Sequence, residues 1–206
     1  DRARSRGLGD VYKRQRQEGF EGEVLLISDE DRVPYQRPPL SKQYLSGEHD
    51  EERVALRPGK FYEDNNVTMR LGAPVTAIDT AKHEVCLGDG TRETYSKLIL
   101  AMGSRVRRLD MLPGADQSGI HYLRTVGDAD GIRAGLGDGK RVVVVGGGYI
   151  GLEVASVAVA AGSSVTVLEA EARLLARVAT EELAAFYHRV HTCLLYTSDA
   201  ADDCEG

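Results

Sequence analysis

Residues 146–151 read Gly-Gly-Gly-Tyr-Ile-Gly and fit G-x-G-x-x-G, with glycines at Gly146, Gly148 and Gly151. Phosphate chemistry explains the spacing. Gly146 makes a tight turn, Gly148 lets backbone approach a pyrophosphate, and Gly151 packs a helix on the preceding strand. Tyr149 and Ile150 open that helix, where unpaired N–H groups and the positive end of the dipole hold an anion. Glu169 follows roughly twenty residues on, where a carboxylate accepts ribose hydroxyls. A 2'-phosphate there would meet Glu169 and Glu171, a repulsion on the order of a few kcal/mol at moderate dielectric. NADH is therefore expected over NADPH, with Arg173 near enough to soften the preference.

The elements that must position this motif are legible around it. RVVVV (141–145) reads as a buried parallel-type strand, and Ile150, Val154, Val157 and Ala161 fall at helical spacing. Gly162 closes that helix and SVTVL (164–168) supplies a second strand, which completes a strand-helix-strand unit. An earlier strand, EVLLIS (23–28), also ends in acids, Asp29, Glu30 and Asp31, and echoes the first pattern weakly. A proline-rich loop (34–40) leads into a helix expected near Ser41. Residues 74–97 predict a small antiparallel meander turning at Asp89-Gly90, and residues 97–102 predict an apolar strand ending at Gly103. A linker follows, from Arg105 through Pro113-Gly114.

Composition narrows the classes. The chain of 206 residues carries a formal charge of -6, with no sustained basic patch in its body, so nucleic acid is not expected as a partner. No apolar run reaches the roughly 18 residues of a membrane span, and the expected location is the cytoplasm. Cys86, Cys193 and Cys204 show no metal or disulfide spacing. His49, His83, His121, His188 and His191 are scattered without carboxylate or thiol partners at ligand spacing, so no metal is expected. The Arg105, Arg107, Arg108 cluster reads as a solvated linker rather than a docking patch for an acidic redox partner, and Cys86 as a packing residue. Tyr149 is as readily a packed aromatic as a gate over a nicotinamide pocket.

Four segments together resemble one family: PYQRPPLSKQYLSGE (34–48), LILAMGS (98–104), HYLRTVGDA (121–129) and VVVVGGGYIGLEVA (142–155). They are similar to the flavin-dependent NADH:ferredoxin reductases of the pyridine nucleotide-disulfide oxidoreductase superfamily, with putidaredoxin, rhodocoxin and rubredoxin reductases as members and apoptosis-inducing factor as a distant relative. The match runs almost continuously from about residue 19 to 191. The resemblance implies an α/β protein with tandem Rossmann-like FAD- and NAD-binding units, both incomplete, and a small antiparallel β-meander. It implies FAD and NADH as cofactors and an iron-sulfur ferredoxin or rubredoxin as electron acceptor, in the service of an oxygenase.

The resemblance also assigns residues. Asp29 matches the acid on the ribose of the FAD adenosine, Lys42 the lysine beside the isoalloxazine, Val75 a backbone contact to adenine, and Arg124 a further FAD contact. Glu153 matches the glutamate paired with that lysine, which makes Lys42 and Glu153 the catalytic candidates, and Arg37 shares the flavin-facing loop. Ala101-Met102-Gly103 departs from the usual Ala-Thr-Gly, which removes a hydroxyl at 102 but keeps the turn at Gly103. On residue type alone, Lys42 is a solvated lysine, Glu153 a helix-terminal acid, Asp29 a turn acid and Arg124 a surface arginine. The stretch from Arg37 to Leu45 holds no cysteine, so a thiol relay is unavailable and direct hydride transfer from NADH to flavin is expected. Two other readings are an NADH oxidase or peroxidase of the same superfamily, and a non-turnover NADH-sensing flavoprotein resembling apoptosis-inducing factor.

The ends have a different character. SRGLGDVYKRQ (5–15) and CLLYTSDAAD (193–202) resemble translated sequencing-library adapters in opposite orientations. The expected organisation is thus an adapter-derived tail at 1–15, an FAD-binding fragment at 16–112 with its meander at about 74–97, an NAD-binding fragment at 113–192, and a second tail at 193–206. Residues 1–15 contribute +3 and 193–206 contribute -4, so the body carries -5. Residues 1–206 as they stand are expected to bind FAD weakly and to show no turnover.

Overall fold

The computed structural model describes residues 18–193 and the backbone of 197–200. The first tail, part of the second and Cys204 lie outside the described residues. The chain divides into two units, residues 1–36 with 52–104 and residues 37–51 with 105–206.

In the first unit, β1 (Val24–Ile27) pairs in parallel with β2 (Val67–Arg70), from Val24 opposite Val67 to Ile27 opposite Arg70. Short helices α1 (Glu51–Val54) and α2 (Gly59–Asp64) precede β2. Leu26, Tyr62 and Val67 form the core, with Val24, Val33, Phe61, Met69 and Leu71 packed around them. β1 therefore comes from the apolar run expected to form it. The meander follows as β3 (Val75–Asp79), β4 (Glu84–Leu87) and β5 (Arg92–Thr94), antiparallel throughout. It turns at Asp89-Gly90, where Gly90 takes φ +87° and the Asp89 carboxylate accepts the Thr91 amide at 2.8 Å. That hydrogen bond holds the Asp89 carboxyl below its ordinary range. Val85 and Leu87 face inward, while Cys86 lies half-buried on the opposite face.

One expected strand is absent among the described residues. Residues 97–102 form no ladder, and Leu98, Ile99, Leu100 and Met102 are all exposed, Met102 at 80%. Apolar composition favours a buried strand, but a strand also needs a neighbour for its N–H and C=O groups, and no described segment pairs here.

In the second unit, the helix expected near Ser41 is a 3-10 helix over Pro38–Ser41, followed by turns through Gly47. Lys42 leaves the helical region at φ -130° and ψ -113° directly after Ser41, and Gly47 takes φ +84°, so the chain does not continue as an α-helix. Leu40, Ser41, Tyr44 and Leu45 are nonetheless buried. α3 (Val126–Ala134) starts from a capping box: the Asp128 amide donates to the Thr125 hydroxyl at 3.2 Å, and the Thr125 amide donates to the Asp128 carboxylate at 2.7 Å. The Tyr44 hydroxyl donates to Asp130 at 3.0 Å, and the Arg133 guanidinium donates to the Tyr44 carbonyl at 3.2 Å and pairs with Asp130 at 2.6 Å. Burial, and then the Asp130 hydrogen bond, raise the Tyr44 phenol above its ordinary range.

The strand-helix-strand unit is β6 (Arg141–Val145), α4 (Tyr149–Ala160) and β7 (Ser164–Glu169), with β6 and β7 parallel from Arg141 opposite Ser164. Ala155, Ala158, Val165 and Val167 form its core. The buried face of α4 is Leu152, Val154, Ala155 and Ala158, whereas Ile150 of the expected stripe is 59% exposed. Small residues at 151, 155 and 158 let the helix lie close to the sheet, and that fixes its rotation. β6, expected to be a buried strand, is half-buried on one face through Val142 and Val144 and exposed on the other at Val143 and Val145. α5 (Glu181–Cys193) and β8 (Thr197–Ala200) follow, and β8 pairs in parallel with β7 although it falls in the expected second tail.

Two predictions follow from this packing. Thr125→Ala removes one half of the capping box and should cost about 1 kcal/mol in denaturant unfolding. Burial lowers the His191 imidazole below its ordinary range. The unfolded chain therefore takes up that proton at higher pH than the folded one, and stability is full above about pH 6.5 and lost as pH falls further. In a His191→Leu variant this part of the pH dependence should disappear from midpoints measured between pH 5 and 8.

Candidate functional site

Each of the three motif glycines has its own steric reason. Gly146 sits at φ +109°, a region costly for side chains. A Cβ on Gly151 would stand 2.0 Å from the Gly146 carbonyl oxygen and 3.2 Å from Val144, so only glycine lets α4 approach β6 this closely. A Cβ on Gly148 would meet nothing within 4 Å, and Gly148 caps α4 with extended backbone and no side-chain hydrogen bond. The first amides of α4 have no intrahelical acceptor, and Tyr149 and Ile150 are both exposed.

Gly147 was not singled out by the sequence reading and is equally constrained. A Cβ there would lie 2.5 Å from Leu174 and 3.1 Å from Glu169. The Gly147 amide donates to the Glu169 carboxylate at 2.6 Å, and the Glu171 amide donates to its other oxygen at 3.0 Å. The Gly147 carbonyl accepts the Leu175 amide at 3.0 Å, and the Gly146 amide donates to the Leu168 carbonyl at 2.7 Å. Glu169 therefore clasps the loop as well as standing at the end of β7. Arg173 donates to the carbonyls of Ala176 and Ala179.

Lys42 and Glu153 are brought together from positions 111 apart: the Lys42 ammonium lies 2.7 Å from Glu153 Oε2. Ser41, also missed from sequence, donates its hydroxyl to the same oxygen at 2.5 Å. Its partner lies 112 residues away, and no local pattern marks it. These three residues line a cavity of about 450 Å³ together with Tyr149, Tyr187 and His191. Tyr149 is a wall of that cavity and 45% exposed, so it is not a packed core aromatic.

The other candidates are distributed over the two units. Arg37 and Arg124 belong to the second, where the Arg37 guanidinium donates to the Arg124 carbonyl. The Nε of Arg124 is buried without a hydrogen-bond acceptor. Asp29, Val75, Ala101 and Gly103 belong to the first unit and are exposed. Gly103 takes φ +63°, the turn its motif requires. The neighbouring Glu30 carboxylate accepts the Tyr35 hydroxyl at 2.5 Å. Of the linker arginines, Arg108 pairs with Asp110 at 3.0 Å and stacks on Tyr122. Among the described residues no group of three or more His, Cys, Asp or Glu could hold a metal ion, and no helix is long and apolar enough to cross a membrane.

The family model for pyridine nucleotide-disulphide oxidoreductases matches residues 10–193. The rubredoxin-NAD(+) reductase of Ectopseudomonas oleovorans is 48% identical over 165 residues, which cover 80% of this chain and 43% of that protein. The rhodocoxin reductase of Rhodococcus erythropolis is 44% identical over 177 residues, 86% of this chain and 41% of that one. The solved covalent complex of putidaredoxin reductase with putidaredoxin superposes with a TM-score of 0.88 at 38% identity, covering 94% of this chain and 48% of that chain. The chain spans less than half the length of these relatives. With the glycine loop, its parallel strands and nine-tenths of the sequence matching one family model, the chain belongs to the pyridine nucleotide-disulphide oxidoreductases.

Proposed function

We propose that this chain is the nucleotide-binding part of a cytoplasmic flavoprotein reductase that takes reducing equivalents from NADH and passes single electrons to a ferredoxin- or rubredoxin-type carrier supplying an oxygenase. The observation that carries the reading is the glycine loop: a start of α4 without a side-chain cap, with open space at Gly148 and a carboxylate at the end of β7. The names of the relatives, rubredoxin and rhodocoxin reductases among them, support the carrier.

The residues present fit both cofactors. The open amides of α4 suit the pyrophosphate of NADH, and the buried Nε of Arg124 lacks the acceptor that a flavin nucleotide would offer. Bound FAD would supply the exchange between a two-electron hydride donor and a one-electron carrier. Gly146, Gly148, Tyr149, Ile150 and Gly151 would bind the dinucleotide phosphates through backbone, and Glu169 would accept the ribose hydroxyls with the lone pairs left beside its two amide bonds. Within the first unit Asp29, Val75, Ala101 and Gly103, and within the second Arg37 and Arg124, are the residues assigned to the flavin nucleotide. Lys42, paired with Glu153, would present a cation where negative charge develops during flavin reduction.

Three outcomes test this. Isothermal titration of the chain should show NADH binding ahead of NADPH, and Glu169→Gln, which removes the charge while keeping an acceptor for the Gly147 amide, should narrow that discrimination at least about tenfold. In the longer protein that contains this chain, Lys42→Ala should retain FAD and slow its reduction by NADH, by about 100-fold if the lysine acts as a preorganised electrostatic donor. Cytochrome c reduction by that protein should require an added ferredoxin or rubredoxin. Rapid peroxide consumption without a carrier would favour an oxidase or peroxidase instead.

A further inference from the structure

Two donors converge on one carboxylate oxygen in the second unit. Glu153 Oε2 receives the Ser41 hydroxyl at 2.5 Å and the Lys42 ammonium at 2.7 Å. A second acceptor, the Pro38 carbonyl, lies 3.4 Å from both the Ser41 hydroxyl and the Lys42 ammonium, which leaves the carboxylate as the nearer partner of each. The two donors differ in their surroundings: Ser41 is buried at 5% exposure, whereas the Lys42 side chain is 43% exposed and that of Glu153 is 28% exposed.

An ion pair this open to solvent does not fix its own geometry, because water competes for both charges and a long lysine stem has many rotamers. A hydroxyl held in the protein interior does not have that freedom. Its backbone is set by the Pro38–Ser41 3-10 helix, and its side chain has one torsion to settle. We propose that Ser41 is a positioning residue: its buried hydroxyl fixes the Glu153 carboxylate, and the carboxylate in turn fixes the Lys42 ammonium at the wall of the cavity. The functional meaning of that arrangement rests on Lys42 being the cation beside the flavin. The arrangement itself needs no cofactor.

The ammonium order parameter of Lys42, measured by nitrogen relaxation in the 206-residue chain without nucleotide or flavin, reads the effect directly. In the wild type it should exceed that of Lys60, whose side chain is 80% exposed. Ser41→Ala should lower it at least twofold, to the level of Lys60, while Ser41→Thr, which restores a hydroxyl, should keep it high. An unchanged Lys42 in Ser41→Ala, or an equal loss in Ser41→Thr, would overturn the proposal. A second measurement stands even if Ser41→Ala fails to fold. The Ser41 hydroxyl proton should exchange slowly with water in the wild type and rapidly in Glu153→Ala, and fast exchange in both would also overturn it. Because none of these readings involves NADH or FAD, a chain that fails to bind coenzyme leaves them intact.

Discussion

The second unit depends on the approach of α4 to β6 at Gly151, where any side chain would collide with the Gly146 carbonyl. This contact sets the height and rotation of the helix on the sheet. It turns Ala155 and Ala158 toward Val165 and Val167, and it leaves Tyr149 and Ile150 at the start of α4 exposed. Glu153 stands two residues beyond Gly151, so the same contact places the carboxylate that meets Ser41 and Lys42. The proposed phosphate grip and the proposed flavin-side ion pair are thus two consequences of one steric fact.

Much of this was legible in the sequence because the relevant signals are local. Strand, glycine loop, helix and second strand lie within residues 141–169, and their periodicity and turn chemistry point to the same unit. The Asp89-Gly90 turn was legible for the same reason, since a carboxylate and a positive φ suffice to make it. What the sequence concealed depends on distant partners. Ser41 carries no mark of an acceptor 112 residues away, and Gly147 looks like a spare glycine until Leu174 and Glu169 close around it. The run at 97–102 shows the converse, for its composition is that of a buried strand while strand formation needs a neighbour to complete the ladder. The helix expected near Ser41 stops after one 3-10 turn because the Lys42 backbone leaves the helical region, a departure that the residue types there do not mark.

Charge is used sparingly in the site. Lys42 and Glu153 neutralise one another at the cavity wall, and Glu169 is neutralised in part by two backbone amides. A carboxylate so held is fixed at the end of β7 in advance, which is the preorganisation that the proposed ribose acceptor needs. The Tyr44, Asp130 and Arg133 contacts serve the Ser41–Lys42 turn in the same way, tying the segment just beyond it to α3.

The central claim is that pyrophosphate is gripped by the first amides of α4. Amide chemical shifts of the 206-residue chain, followed during titration with NADH, test it most directly. The account predicts that the largest shifts fall on Gly148, Tyr149 and Ile150, with a smaller one at the Glu169-held amide of Gly147. Saturable binding that leaves these four amides unmoved, or no binding at millimolar NADH, would contradict it.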